Sequence, residues 1–154
     1  MTDYKRWAII GGIVGAALPF VSSFISKNLI PSLTVTFSAL EATTIKPGFP
    51  EAASNIFLRF VTTPTLPDYL IAAIGGAIFV VLGAFLYGLK PTARTTFGKL
   101  FLVLLYASLA FSALALFANG LAAAFPVLII ASINSFIVAW FIIALSKLNI
   151  IKIP

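Results

Sequence analysis

The chain has no cysteine and no histidine among its 154 residues. Without thiols there are no disulfides, thiolate-bound metals, iron–sulfur clusters or cysteine nucleophiles. Without imidazole there is no histidine-ligated zinc or haem, and no acid–base catalysis by histidine. Acids are almost as scarce: Asp3, Glu41, Glu51 and Asp68 are the only four. All lie outside the long apolar runs, so coupled transport lacks the intramembrane carboxylate it ordinarily uses. Paired carboxylates for hydrolysis are equally hard to assemble from acids spread over connections. The expectation is a protein with no catalytic, cofactor-binding or metal site, and not an enzyme.

Hydrophobic residues make up 61% of the chain and charged ones 9%, where soluble domains carry about 25% charge. Mean hydropathy is +1.13. Between Lys99 and Lys147 lie 47 residues without a charge, interrupted only by Asn119-Gly120. A helix crosses the roughly 30 Å bilayer core with about 20 residues. The run therefore reads as two spans folded back on a tight turn. Eleven Leu, Phe or Val residues between Leu100 and Phe117 favour insertion by roughly 3 to 7 kcal/mol.

Two further spans precede these. Lys5-Arg6 before an apolar run looks like a signal peptide, but the uncharged stretch from Trp7 to Ser26 is 20 residues long and reads as a retained anchor. The four spans are expected at about 7–30, 69–89, 97–118 and 121–148. The fold class is thus all-α, an integral membrane four-helix bundle forming a single transmembrane domain over 1–154. Pro19 falls inside the first span, where it bends the helix and frees a carbonyl; Pro126 falls near the start of the fourth, where proline is tolerated.

Orientation follows from the cations. Lys5, Arg6, Lys90, Arg94, Lys99, Lys147 and Lys152 fall on one side, and Lys27, Lys46 and Arg59 on the other, matched there by Glu41, Glu51 and Asp68. The positive-inside bias places both termini in the cytoplasm, in a multi-pass protein of the cell (plasma) membrane. The connection of about 31–68 then faces outward and is too long for an idle turn. Within it, Ser32 to Ala39 alternates like an extended segment. Glu51 to Val61 has the pattern of a short amphipathic helix at the outer interface.

Polar residues inside the spans are few. Asn134 reads as interhelical hydrogen bonding, or else as a pore-lining amide. The four-residue pairs Ser22/Ser26 and Ser108/Ser112 each share a helix face, as do Gly11 and Gly15; close helix packing is the plainer reading of all three, and the lining of a narrow pore the other. Trp7, Tyr69 and Tyr87, with the cations Lys90, Arg94, Lys99 and Lys147, read as interfacial anchors. Trp140, deeper in its span, reads as packing, or else as facing a lipid, quinone or pigment held by a larger assembly. The echo of Ile10-Gly11-Gly12-Ile13 in Ile74-Gly75-Gly76-Ala77 reads as ordinary glycine usage in membrane helices.

Four spans with a large first connection resemble claudin-type proteins in architecture alone. The paired cysteines and loop tryptophans of that family have no counterpart here, so no function carries over. The sequence points to a small non-catalytic subunit packed against larger subunits of a membrane complex. A passive channel formed by a homo-oligomer is the first alternative, and a structural membrane protein of a virus or vesicle the second. Expected partners are lipid and other integral membrane subunits. Nucleic acid is excluded because the basic residues are scattered singly at span ends rather than gathered in a patch.

Overall fold

A computed structural model describes residues 3–29, 31, 59, 60 and 62–154. Four helices dominate it: α1 (Tyr4–Asn28), α2 (Leu66–Leu89), α3 (Thr96–Asn119) and α4 (Leu121–Lys147). All four are long and apolar enough to cross a membrane. At 1.5 Å per residue, 24 residues extend about 36 Å, which covers the hydrocarbon core with some tilt. This is a multi-pass membrane protein. The expected extended segment at 32–39 lies outside the described residues. So does the expected helix over 51–61, apart from helical Arg59 and Phe60.

The helix boundaries follow from local chemistry. Asp3 caps α1, its carboxylate accepting from the Arg6 backbone N–H at 3.2 Å and pairing with the Arg6 side chain at 2.8 Å. The Thr95 hydroxyl caps α3 by accepting from the Gly98 N–H at 3.0 Å. Gly120 serves both as C-cap of α3 and N-cap of α4, with φ +78°. That left-handed backbone suits glycine, so the turn falls where Asn119-Gly120 interrupts the apolar run. α2 starts at Leu66, three residues before the uncharged stretch. Pro67 is compatible with a first helical turn, and Asp68 accepts from the Thr65 backbone N–H at 2.8 Å.

Consecutive helices are neighbours, and α4 returns to α1, closing a four-membered ring. The pairs run antiparallel, since Gly11 meets Gly76 while Gly15 meets Ala72. The end that holds Trp7, Tyr87, Leu100 and Ile142 is called the tail end here; the other, where the long connection leaves α1 and enters α2, is the loop end. At the tail end a core of Trp7, Ile10, Val80, Leu100, Val103, Leu104 and Ile142 is almost wholly buried. Residues after α4 fold beneath it: Ile151 and Ile153 pack on this core, and Lys99 Nζ donates to the Pro154 carbonyl at 2.8 Å. At the loop end the cluster is smaller, built on Val21, Ile25, Ala115, Val127 and Ile130.

Candidate functional site: a cavity at the centre of the bundle

Most polar side chains within the spans turn inward, while Ser23, Ser132 and Ser146 are half-buried. Ser22, Ser26, Ser108, Ser112, Asn134 and Ser135 are all buried. Most use their hydroxyls locally or between neighbouring helices. The Ser22 hydroxyl donates to Leu18 O at 2.6 Å, and the Ser26 hydroxyl to Ser23 O at 3.2 Å. The Ser112 hydroxyl crosses from α3 to the Ala124 carbonyl of α4 at 2.8 Å. The Ser108 hydroxyl donates to Leu104 O at 2.9 Å and lies 3.0 Å from the Ser135 hydroxyl across the same interface. With the Ser108 proton committed to Leu104, Ser135 is the donor of that second bond.

Asn134 ties α4 to α1, its Nδ2 donating to the Val14 carbonyl at 3.0 Å. A carbonyl only accepts, so this contact fixes which end of the amide is nitrogen. Among the described residues nothing donates to the Oδ1, although the residue is 1% exposed. An orphaned acceptor at this depth is costly unless something donates to it.

Asn134 forms part of the wall of a cavity of about 260 Å³ lined by all four helices and by Phe60. Val14, Gly15 and Leu18 come from α1; Ala72, Gly75, Gly76 and Phe79 from α2; Ala107, Ser108, Phe111 and Leu114 from α3; Ala131, Asn134 and Ser135 from α4. Among the described residues no charged side chain lines it. Phe60, 4% exposed, contributes to the wall from the long connection. Ile71 also belongs to this wall while remaining 43% exposed, which places an opening on the outer, lipid-facing side of α2. Phe79 and Phe111 meet edge to face at 5.2 Å and join α2 to α3 beside the cavity.

Gly11 and Gly15 are packing positions within this chain. A methyl group on Gly11 would overlap the Gly76 carbonyl, and one on Gly15 the Ala72 carbonyl. The sequence echo thus has a physical meaning that composition could not show: the two glycine-bearing stretches face one another across the α1–α2 contact. Gly83 plays the same part toward α3, where an added methyl would meet the Val103 carbonyl.

The interfacial residues divide. Lys90, Arg94 and Lys147 are exposed at helix ends, and Tyr69 is half-buried. Trp7, by contrast, is 1% exposed, with Lys99 Nζ 5.9 Å above its ring; it faces protein rather than headgroups. Tyr87 is buried too, its hydroxyl between the Ala93 N–H at 3.3 Å and the Ala93 carbonyl at 3.4 Å. Trp140 departs from the packing expectation and is 56% exposed, part of an outer aromatic row with Phe97 and Phe136 at 5.3 and 6.4 Å. Periodicity alone could not distinguish these fates, because both faces of α4 are apolar.

One polar constellation escaped the sequence reading. Asp68 is fully buried at the start of α2, accepts from the Thr65 hydroxyl at 2.6 Å, and pairs through Oδ1 with Arg59 at 2.9 Å without an aligned hydrogen bond. The spacing Thr65-x-x-Asp68 before an apolar run was the available signal. No group of three metal-ligating side chains occurs among the described residues. No known protein family, curated protein or solved structure matches this chain.

Proposed function

We propose that the protein is a non-catalytic accessory subunit that binds larger integral membrane subunits through its outer helix faces. One observation carries this reading: span-depth polar groups are turned inward, and the outside presents apolar ridges not used within the chain. α2 is the extreme case. Over its most apolar 18 residues only 22% are buried, against 44% in α1 and α4. Leu66, Leu70, Ile74, Ile78, Leu82 and Leu86, four residues apart, form a continuous exposed ridge along it. Such a row interdigitates with the groove of a neighbouring helix as well as with lipid.

This arrangement suits packing better than conduction. A pore between copies of the chain needs a polar stripe on the outside, whereas Asn134 and most span serines are buried and only Ser23, Ser132 and Ser146 are half-buried. A path through one chain meets the buried tail-end core of Trp7, Leu100, Leu104 and Ile142. The test is extraction in mild detergent at native expression level, then a native gel and mass spectrometry of what migrates with the chain. Larger membrane subunits in stoichiometric amount support the reading, provided Ile74→Ser with Ile78→Ser releases the chain still folded. A monodisperse particle of this chain alone overturns it.

A further inference from the structure

We propose that the central cavity is a binding site for a neutral single-chain amphiphile bearing a hydroxyl, of the long-chain alcohol class, whose hydroxyl donates to Asn134 Oδ1. Three features of the cavity wall select this chemistry. The first is the orphaned acceptor: Asn134 is 1% exposed and its Oδ1 has no donor. The second is the character of the remaining polar groups. Ser108 and Ser135 have their protons engaged. Pro19 in α1 has no N–H to give the carbonyl four residues before it, which is that of Gly15, another wall residue. The unfilled capacity is therefore chiefly that of acceptors, and no described residue of the wall carries a charge. A carboxylate or phosphate would find no charge to meet it, whereas a hydroxyl supplies the missing proton.

The third feature is size and access. At about 30 Å³ per water-sized group, a 260 Å³ cavity holds roughly nine groups, the length of chain next to a hydroxyl rather than a whole lipid. One water could answer Asn134, but the apolar remainder would stay empty. Ile71 marks the side at which the rest of a hydrocarbon chain leaves toward the bilayer, and Phe60 contributes a further apolar surface. The argument for this site uses the inside of the bundle and does not rest on the accessory role, although Ile71 at its edge neighbours Leu70 and Ile74 of the α2 ridge.

The test uses the full chain in lipid nanodiscs with a diazirine-bearing hexadecanol as probe, and peptide mass spectrometry to locate the adducts. Saturable labelling of cavity residues, competed by plain hexadecanol, supports the proposal. Hexadecane and hexadecanoate should compete about fivefold less well or worse, the loss expected when one buried hydrogen bond is unmade. Gly75→Leu is the matched block, because nothing lies within 4 Å of a methyl placed there, and it should abolish saturable labelling without loss of fold. Equal competition by hexadecane, or labelling spread over the outer faces and unchanged by Gly75→Leu, overturns the site. Because the ligand comparison is made on the unaltered protein, it stands even if Gly75→Leu fails to fold.

Discussion

The tail end and the loop end of the bundle solve the same packing problem differently. At the tail end, Trp7, Leu100, Leu104 and Ile142 are 1% exposed or less, and residues 151–153 close the bottom. From the centre toward the loop end, smaller residues and serines surround a cavity, and at the loop end the fully buried acid Asp68 has Thr65 and Arg59 beside it. In lipid, helix association rests on close packing and interhelical hydrogen bonds, because hydrocarbon outside is as apolar as leucine inside. The tail end therefore contributes a dense apolar core, while the bonds Asn134–Val14, Ser108–Ser135 and Ser112–Ala124 join the helices around the cavity and beyond it. The loop end is free to keep space and an unsatisfied acceptor, which is where a binding role belongs.

The sharpest way to break this comparison is at the α1–α2 contact that runs between the two ends. Gly15→Leu drives a side chain into the Ala72 backbone and should destabilise the fold by about 3 kcal/mol. Gly12→Leu, with nothing within 4 Å of the new methyl, should change stability by under about 0.5 kcal/mol. SDS unfolding titrations in mixed micelles check both. Next in size, Leu104→Ala at the sealed end should cost about 3 kcal/mol, and Leu114→Ala beside the cavity under about 1.5 kcal/mol, because Leu114 already borders empty space. Equal costs would remove the distinction between the ends.

A smaller effect comes from the cap of α2. Asp68→Ala removes the acceptor for two hydrogen bonds and the partner of Arg59, and should cost about 2 kcal/mol. Arg59→Ala, whose side chain is 49% exposed, should cost only about 0.5 kcal/mol. Asn134→Leu is comparably mild, since it gives up the bond to Val14 but also removes the orphaned oxygen; about 0.6 kcal/mol is expected. A penalty several times larger would mean that Oδ1 is satisfied in the membrane by a resident donor.

The four spans and the α3–α4 turn were legible because they depend on uninterrupted apolar length and on one Asn-Gly pair. The inward placement of Ser108, Ser112 and Asn134 followed from how few polar residues the spans contain. The cavity was not legible. It arises from the relative placement of four helices, with small residues such as Ala72, Gly75 and Ala107 gathered at one level, and no single helix carries that pattern. Trp7 and Trp140 exchanged the parts expected of them, because hydropathy distinguishes membrane from water but not protein from lipid. Asp68 was read as a loop charge facing outer cations, although its distance from Thr65 already fitted a helix cap.

The absence of cysteine makes the central claim directly testable by single-cysteine spin labelling. Labels at Ile74, Ile78, Phe85 and Phe141, all exposed on outer faces, would be measured in liposomes of the purified protein for collision with oxygen and with a water-soluble nickel chelate. A bundle with its polarity inside and its grease outside predicts high oxygen and low nickel accessibility at all four. Nickel accessibility at Ile74 or Ile78 comparable to a label on exposed Lys90 would place the α2 ridge in water and contradict it.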